Sequence, residues 1–333
     1  MATLIWSKKA YPQPLPKGGE REHQSHTHPQ PLPKGGEKGN QSHTHPRPLP
    51  KGGEIEGGLN KNMKETLTIV KVGGAVVEDE QQLARLLDDF ARIEGRKLLV
   101  HGGGRRATRV ATALGIESRM VNGRRITDEK MLEVVTMVYG GLVNKHIVAL
   151  LQAHEINALG LTGADMNVIL SHRRPPVAVS SPQEGIEEGQ TVDFGFVGDV
   201  ERVDAQKLSL LIEAGITPVV SPLTHDGKGS MLNTNADTMA GETAKALAAL
   251  YDVRLVYCFE KKGVLSNPDD EDSVIATINR EDFDRYVADG TIAGGMIPKI
   301  ENALQAVEAG VGKVVITKAT ALLGNQGTVI SNG

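Results

Sequence analysis

The chain has 333 residues, of which 39% are hydrophobic and 23% are charged, and its formal net charge is −4. This is the composition of a globular protein, and the small charge gives no reason to expect a nucleic acid or an anionic membrane as a partner. The single cysteine, Cys258, cannot form an intrachain disulfide, so a cytoplasmic location fits best. No apolar run approaches the length of a membrane span.

Residues 1–62 differ in amino-acid composition from the rest of the chain. A Pro/Gly-rich segment begins at Pro12 and recurs at Pro29 and, with one change, at Pro46, 17 residues apart each time. The tract has few apolar side chains to bury, which predicts disorder. Its histidines could bind a metal, but a solvated tail is the simpler interpretation. We expect Met63 to be the authentic start, with one folded domain over 63–333.

From Met63 onward, short apolar runs alternate with helical patterns, beginning with Leu67-Thr-Ile-Val-Lys-Val72. This run is rich in β-branched residues and ends at two glycines, which predicts a buried parallel strand. Lys71 lies inside the run and is costly there unless its charge meets a partner. A lysine beside bare backbone amides suits phosphate, although a strand-end lysine that reaches water before an ordinary turn is an alternative.

The next segments repeat the order of strand, glycines and helix. Apolar spacing predicts a helix over 81–94, a strand over 97–100 and a helix from about Arg106. The turn His101-Gly-Gly-Gly-Arg105 between them suits an anion at a helix N-terminus, although a glycine-rich connection alone would also explain it. It is not G-x-G-x-x-G, and the chain has no G-x-x-x-x-G-K-[ST], so dinucleotide-binding and P-loop folds lose support.

The remaining pattern continues this alternation to the end of the chain. It predicts strands over 157–161, 216–221, 253–259, 313–317 and 327–330, a hairpin of 177–179 with 191–197, and helices over 128–153, about 235–250 and 298–310.

Charged residues occur at three positions where a bound ligand would account for their charge. Asp237 lies in the first turn of a predicted helix, where the dipole alone would favour a carboxylate. Lys299 follows Pro298, which suits the first helical position; there a cation opposes the dipole, and a bound anion would resolve the conflict. In Asn122-Gly-Arg-Arg-Ile-Thr127, one arginine could grip a carboxylate, although adjacent arginines usually mean a solvated surface.

Together these segments resemble the amino-acid kinase family, and within it the members that phosphorylate N-acetylglutamate. The resemblance covers about Thr66 to Ile330, and its matching stretches are 71–74, 101–104, 122–127, 233–237 and 295–299. It implies a three-layer αβα sandwich around a mainly parallel open sheet, in agreement with the alternating strands and helices. It also implies an acyl-amino-acid lobe over 63–235 and a nucleotide lobe over 236–333.

The resemblance implies that ATP phosphorylates the side-chain carboxylate of N-acetyl-L-glutamate, a step of arginine biosynthesis, in a cytoplasmic homodimer. The nucleophile is already an anion at neutral pH, so the protein's task is positioning and charge stabilisation. Mg²⁺ would bridge the nucleotide phosphates without direct protein ligands. The alternatives are the same reaction on N-succinyl-L-glutamate, another family substrate such as aspartate, carbamate or a nucleotide, and a non-catalytic small-molecule sensor.

The resemblance also assigns roles to individual residues. Lys71 and Lys299 would neutralise the transferring phosphoryl group, and Asp237 would orient both. The residues expected to bind the acyl amino acid are Gly102, Gly103, Arg125 and Asn233. The residues expected to bind the nucleotide are Gly73, Gly74, Glu260, Lys261, Gly263, Leu265 and Gly295.

Two stretches depart from the family pattern. Relatives commonly have Thr/Ser-Asp-Val-x-Gly in the nucleotide loop, whereas this chain has Glu260-Lys-Lys-Gly263. Glu260 keeps the charge, but the ATP contacts of this loop stay open. Arg105 and Arg106 follow the glycines where many relatives have other residues, which leaves acetyl and succinyl both open as the acyl group.

We predict that residues 1–62 contribute nothing to folding or catalysis, because the tract cannot offset its own ordering entropy. A chain beginning at Met63 should keep full activity and the same melting temperature. The sole tryptophan, Trp6, lies in the tail, so its emission in the full chain should be that of a solvated indole. A blue-shifted native spectrum, or a shortened chain that melts several degrees lower, would show that the tail docks on the domain.

Overall fold

An eight-stranded, mainly parallel sheet forms the centre of the fold in the computed structural model, which describes residues 64–121, 123–179, 187–324 and 326–333. The strands are β1 (Thr66–Val72), β2 (Arg96–His101), β3 (Met120–Val121), β4 (Arg124–Arg125), β5 (Ala158–Leu161), β6 (Ile169–Arg173), β7 (Val177–Ala178), β8 (Thr191–Val192), β9 (Gly198–Val203), β10 (Thr217–Val220), β11 (Leu223–His225), β12 (Met231–Asn233), β13 (Asp252–Phe259), β14 (Thr277–Ile278), β15 (Lys313–Lys318) and β16 (Thr328–Ile330).

The helices lie between these strands in the chain. They are α1 (Gly74–Glu78), α2 (Glu80–Ala91), α3 (Gly104–Ala113), α4 (Glu129–Val135), α5 (Asn144–Ala153), α6 (Ala205–Glu213), α7 (Ala236–Leu247), α8 (Arg280–Ala288) and α9 (Met296–Glu308). A wider π-helical segment, Thr136–Val143, joins α4 to α5, and short 3₁₀ turns occur at Asp165–Asn167 and Ala319–Ala321.

The strand order of the large sheet is β14-β16-β15-β13-β1-β2-β10-β5. Only β16 and β14 run against the others, because β15 and β16 pair antiparallel while β14 and β16 pair parallel. A smaller sheet has the order β12-β11-β6-β9, and two ribbons are formed by β3 with β4 and by β7 with β8. The described residues belong to one compact unit, and the predicted lobe boundary at 235/236 runs between β12 and α7.

The strands of the large sheet send alternate side chains into two hydrophobic cores, one on each face. Leu67 and Ile69 of β1 join the core shared with α6, α7, α8 and α9. Val70 and Val72 join the core shared with α1 to α5. Helices therefore cover both faces of the sheet, and the predicted three-layer αβα architecture is confirmed.

The same alternation determines which face the buried lysine of β1 occupies. Lys71 lies two residues beyond Ile69, so its side chain is on the face that α7 and α9 cover. Its partner in the parallel register with β13 is Tyr257, and Phe259 follows on the same face. The carboxyl ends of β1, β2, β10 and β13 lie at one edge of the sheet, which is where open α/β folds commonly bind ligands.

Most predicted elements are confirmed within a few residues of their bounds. The hairpin is present, with Val177 paired to Val192 in antiparallel register. The prediction that Pro298 is the first residue of its helix is wrong, because α9 begins at Met296. Proline is tolerated as the third residue since the first four N–H groups of a helix have no intrahelical acceptor.

A continuous helix runs over Glu129–Ala153 and is 25 residues long. By length and composition alone this helix could cross a membrane. The expectation that no segment is long and apolar enough to do so is therefore wrong, because it considered only uninterrupted apolar runs. A core helix of a globular fold has the same properties, and 44% of the most apolar stretch is buried inside the fold. Met131 and Leu151 are among its buried side chains.

The tail 1–62, together with Met63, Asn122, 180–186 and Asn325, lies outside the described residues. The disorder predicted for the tail therefore stays a prediction.

Candidate active site

Two glycine-rich turns lie side by side at the carboxyl ends of β1 and β2. Gly73 N donates to Cys258 O at 3.1 Å and Gly102 N donates to Val72 O at 2.8 Å, so both turns are tied to the sheet. A Cβ atom on Gly102 would lie 2.9 Å from Gly74 N, which explains why this position needs glycine. Backbone amides of the two turns therefore meet at one place.

Two helices begin here with cations close to their N-termini. Helix α3 has Gly103 as its N-cap, and its first turn carries Arg105 and Arg106 without an acidic residue. Helix α9 has Gly295 as its N-cap, and Lys299 is its fourth residue. No side chain among the described residues caps either start. Cations oppose the helix dipole at these positions, and a bound anion would stabilise both.

The buried lysine of β1 meets a carboxylate on α7. Lys71 Nζ lies 2.6 Å from Asp237 Oδ1, and the two side chains are only 6% and 12% exposed. Asn235 starts α7 by accepting hydrogen bonds from Asp237 N and Thr238 N, which is the usual role of an N-cap asparagine. The dipole of α7 further favours the carboxylate. The ion pair provides the partner that a buried ammonium group in β1 requires.

Lys299 brings a second ammonium group to the same place. Burial lowers the pKa of Lys299, the Asp237 carboxylate opposes this shift, and the Lys71 ammonium adds to it. One buried carboxylate therefore faces two ammonium groups. The resulting surplus of positive charge in a cavity attracts an anion.

Two adjoining cavities open at Lys71, and Lys299 lines the second of them. The first, about 190 Å³, is called the Asn233 cavity; it is lined by Lys71, Gly102, Gly103, Arg124, Arg125, Tyr139, Asn233 and Asp237, among others. The second, about 380 Å³, is called the Lys299 cavity; it is lined by Lys71, Gly73, Gly74, Arg105, Arg125, Phe259, Glu260 and Lys299, among others. Lys71, Gly74, Gly104, Met120 and Arg125 line both, so groups bound in the two cavities can meet there.

The Asn233 cavity contains every residue predicted to bind the acyl amino acid. Asn233 is buried, and its Nδ2 donates to Thr127 Oγ1 at 2.9 Å. Arg125 is 6% exposed, and its Nη2 donates to Gly104 O and Thr108 Oγ1, both at 2.9 Å. Arg125 therefore anchors the start of α3 and lines the cavity at the same time.

Two further side chains of this cavity were not among the predicted site residues. Arg124 lines it beside Arg125, and burial, followed by the charge of Arg174, lowers the pKa of its guanidinium. Tyr139 lies on the π-helical segment, and burial raises the pKa of its phenol. Such segments are often found at functional sites, but a local sequence pattern does not distinguish them from an ordinary helix.

The residues predicted to bind the nucleotide divide into two groups. Those that line the Lys299 cavity are Gly73, Gly74 and Glu260, and those that line neither cavity are Lys261, Gly263, Leu265 and Gly295. Gly263 packs closely on β16, where its Cβ would lie 2.8 Å from Thr328 Oγ1. Leu265 forms a β-bridge with Val274. The roles of this second group stay predictions.

His101 is fully buried behind the second glycine turn. Asn144 Nδ2 donates to Val219 O at 2.9 Å and lies 3.1 Å from His101 Nε2, so Nε2 is an acceptor. The ring proton is then on Nδ1, which donates to Gly102 O at 2.8 Å. Burial lowers the pKa of His101 to about 4, which keeps the ring neutral at pH 7. Because C=O and N–H point oppositely in a trans peptide, this bond turns Gly103 N–H away from the ring.

Comparison with known sequences gives consistent matches. The model of the amino acid kinase family matches residues 66–318. The chain is similar to an acetylglutamate kinase of Bacteroides thetaiotaomicron, with 64% identity over 268 residues that cover 80% of this chain and 99% of the relative. It is also similar to an acetylglutamate kinase of Phocaeicola vulgatus, with 65% identity and the same coverage.

Solved structures share the fold. The protein smu.665 of Streptococcus mutans superimposes with a TM-score of 0.64 at 26% identity, covering 80% of this chain and 99% of that one. An N-acetylglutamate synthase of Neisseria gonorrhoeae, solved with coenzyme A and N-acetyl-glutamate, superimposes with a TM-score of 0.66 at 22% identity. That match covers 82% of this chain and 61% of the synthase, and it shows the fold alone.

The hydrogen bond from His101 to Gly102 O predicts unequal effects of two substitutions. His101→Asn keeps an N–H near the position of Nδ1, whereas His101→Gln keeps only a polar atom near Nε2 and loses the bond to Gly102. Misplacing one backbone donor of this kind lowers turnover by roughly 10- to 100-fold. We expect His101→Gln to show that loss and His101→Asn to retain most of kcat.

Steady-state kinetics and thermal melting of both variants test this prediction. Both variants lose part of the buried network, so similar drops in melting temperature are expected and serve as the control. A kcat for His101→Gln equal to or above that of His101→Asn would show that the ring does not orient the turn.

Proposed function

The chain belongs to the amino acid kinase family, and on that premise we infer that it transfers the terminal phosphoryl group of ATP to the side-chain carboxylate of N-acetyl-L-glutamate. It is a phosphotransferase, and its product, an acyl phosphate, belongs to arginine biosynthesis. The observation that carries this conclusion is a pair of ammonium groups: buried Lys71 lies at the junction of the two cavities, and half-buried Lys299 lines the second of them. High identity to acetylglutamate kinases over nearly their full length supports the substrate.

The chemistry needs positioned charge rather than a base. A side-chain carboxylate is already ionised at neutral pH, so it can attack phosphorus directly. As the bond to the leaving ADP breaks, negative charge spreads over the transferring oxygens. Lys71 and Lys299 are placed to stabilise that charge, and Asp237 holds Lys71 through the 2.6 Å contact. Preorganised groups of this kind supply a large part of the rate enhancement in many enzymes.

The two cavities suggest where each substrate lies. The Asn233 cavity offers Arg124, Arg125 and Asn233, which can bind a carboxylate and an amide. The Lys299 cavity offers two lysines and two arginines against one acidic side chain, Glu260, and this surplus suits a polyphosphate. We propose that N-acetyl-L-glutamate occupies the first cavity and the ATP phosphates the second, with reaction at the shared wall.

We propose that Mg²⁺ is held by nucleotide phosphates rather than by this chain. Among the described residues there is no group of three or more His, Cys, Asp or Glu side chains that could bind a metal. The buried carboxylate nearest the reaction, Asp237, is already paired with Lys71. When bound, the metal would supply positive charge at the phosphate oxygens.

A cytoplasmic homodimer is a further proposal. The location rests on the single cysteine, which cannot form an intrachain disulfide. Cys258 is buried, and burial raises the pKa of its thiol to about 12, so this side chain contributes to packing rather than to redox chemistry. The dimer rests on the family resemblance, and light scattering on the purified protein would test it.

A substrate panel tests the proposed function. ADP release is measured with N-acetyl-L-glutamate, N-succinyl-L-glutamate, L-glutamate, aspartate and carbamate, and hydroxylamine traps the acyl phosphate as a hydroxamate. We expect the highest kcat/KM with N-acetyl-L-glutamate. Faster turnover of the succinyl compound would overturn the acyl assignment, and turnover of aspartate or carbamate would indicate another member of the family. No ADP release with either acyl glutamate would favour a non-catalytic sensor.

Removing either lysine should reduce turnover far more than substrate binding. We expect Lys299→Ala to lower kcat by about 100-fold or more, since such a group contributes about 3 kcal/mol to the barrier. Lys71→Ala should behave similarly, and the double variant should lose less than the sum because both groups act on one phosphoryl group. Lys313→Ala, an exposed lysine at the other end of the sheet, is the control. An unchanged kcat in Lys299→Ala would refute its role.

The adjacent arginines offer a matched pair. Arg125→Lys should raise KM for N-acetyl-L-glutamate, because lysine cannot make a bidentate contact with a carboxylate. Arg124→Lys should raise it less. Melting curves separate binding from structure, since Arg125 also anchors α3 through Gly104 and Thr108. Equal effects on KM would show that the choice of Arg125 is wrong.

A further inference from the structure

One aromatic ring lies against both ammonium groups of the active site. The centroid of the Phe259 ring is 4.6 Å from Lys71 Nζ and 4.0 Å from Lys299 Nζ. Both distances fall within the roughly 6 Å over which a ring face attracts a cation. Phe259 is the last residue of β13 and lines the Lys299 cavity.

The ring is held in place by its neighbours. Tyr257 is on the same face of β13 and stacks on Phe259, with centroids 6.2 Å apart and planes within 6° of parallel. Tyr257 is buried, and its hydroxyl donates to Asp237 O at 3.3 Å. On another side, a Cβ at Gly73 would lie 3.8 Å from Phe259 Cδ1. The Phe259 ring is therefore part of the packed framework around the site.

Two ammonium groups beside one buried carboxylate, Asp237, present a physical problem before the phosphates arrive. They repel each other, and burial disfavours the charged form of Lys299. A second carboxylate would attract both lysines but would also repel the incoming phosphates. A ring face attracts cations through its quadrupole and carries no net charge, so it can hold the lysines without opposing an anion.

We propose that Phe259 is a positioning residue for phosphoryl transfer, whose ring holds the Lys71 and Lys299 side chains in place before ATP binds and favours the charged form of Lys299. The proposal rests on the proposed function for its kinetic consequences. The charged groups that face Lys299 are Asp237 on α7, Lys71 on β1 and Glu260 after β13. Glu260 is itself paired with Arg105 of α3 at 3.3 Å.

Removing the ring should change both rate and pH dependence. Phe259→Leu keeps an apolar side chain without a π face, so both ammonium groups lose a contact and Lys299 loses its proton at lower pH. We expect kcat to fall about tenfold and the alkaline limb of the kcat–pH profile to move down by about half a unit to one unit. KM for N-acetyl-L-glutamate should change less than twofold. Phe259→Tyr keeps the ring and should stay close to the wild-type values.

Two outcomes with these variants overturn the proposal. One is a Phe259→Leu enzyme with an unmoved alkaline limb. The other is a Phe259→Tyr enzyme as defective as Phe259→Leu. Because Phe259→Leu could fold poorly, a second series replaces Phe259 with mono-, tri- and pentafluorophenylalanine, which keep the shape and progressively weaken the face. We expect log kcat to fall steadily with fluorination, and a flat series overturns the proposal.

A direct titration separates this proposal from the assignment of substrate. NMR of ζ-¹⁵N-labelled lysine measures the amine pKa values in the ligand-free protein, with Lys299→Ala used to assign the signal. We expect a lower pKa for Lys299 in Phe259→Leu than in wild type, whichever substrate the enzyme prefers. An unchanged value overturns the role of the ring, whereas a failure of the substrate panel alone overturns only the proposed function.

Discussion

The buried ion pair between Lys71 and Asp237 is the interaction on which the site depends. The two groups come from the middle layer and one outer layer of the fold, and they meet at 2.6 Å with little exposure to water. Removing one member of a buried pair typically costs about 3–5 kcal/mol, because the other charge is left without compensation. The pair therefore fixes α7 against β1, and the glycine turns and α9 are arranged around that junction.

Without substrates, the two cavities contain more positive than negative side chains. The starts of α3 and α9 have no side-chain cap within the described part of the chain and carry cations nearby. Asp237 pairs with Lys71, and in our proposal the face of Phe259 adds to the compensation of both lysines. Under the proposed function, an incoming phosphate supplies the remaining compensation, so that binding energy and transition-state stabilisation come from the same preorganised charges.

Much of the fold follows from local sequence. The short apolar run over 67–72, rich in β-branched residues and followed by glycines, predicts a buried strand. Once the helices are assigned to faces, the alternation of side chains along a strand places Lys71 on the face of α7. The sequence also predicts the glycine turns and places Asp237 and Lys299 at helix starts. The helix dipole favours the carboxylate of Asp237 and opposes the charge of Lys299, so both residues can be noticed from the sequence. The family resemblance, rather than any of these patterns, connected them into one site.

Local sequence patterns do not predict which strands are neighbours in the sheet. The strand order puts β1 between β13 and β2, although β13 is distant in the chain. That placement is what brings Phe259 to the lysines. The bond between Asn144 and His101 likewise joins residues 43 positions apart, and the π-helical segment that presents Tyr139 resembles an ordinary helix in sequence. These features depend on long-range packing, and a pattern read along the chain does not specify it.

The most direct test of this account is the kinetic and thermal behaviour of Asp237→Asn, which keeps the shape of the side chain and removes its charge. The account predicts a folded but less stable protein whose kcat falls by at least about 100-fold, with KM values for both substrates changed far less. A folded Asp237→Asn enzyme with kcat within a few fold of wild type would contradict it, because the lysines would then be positioned without the carboxylate.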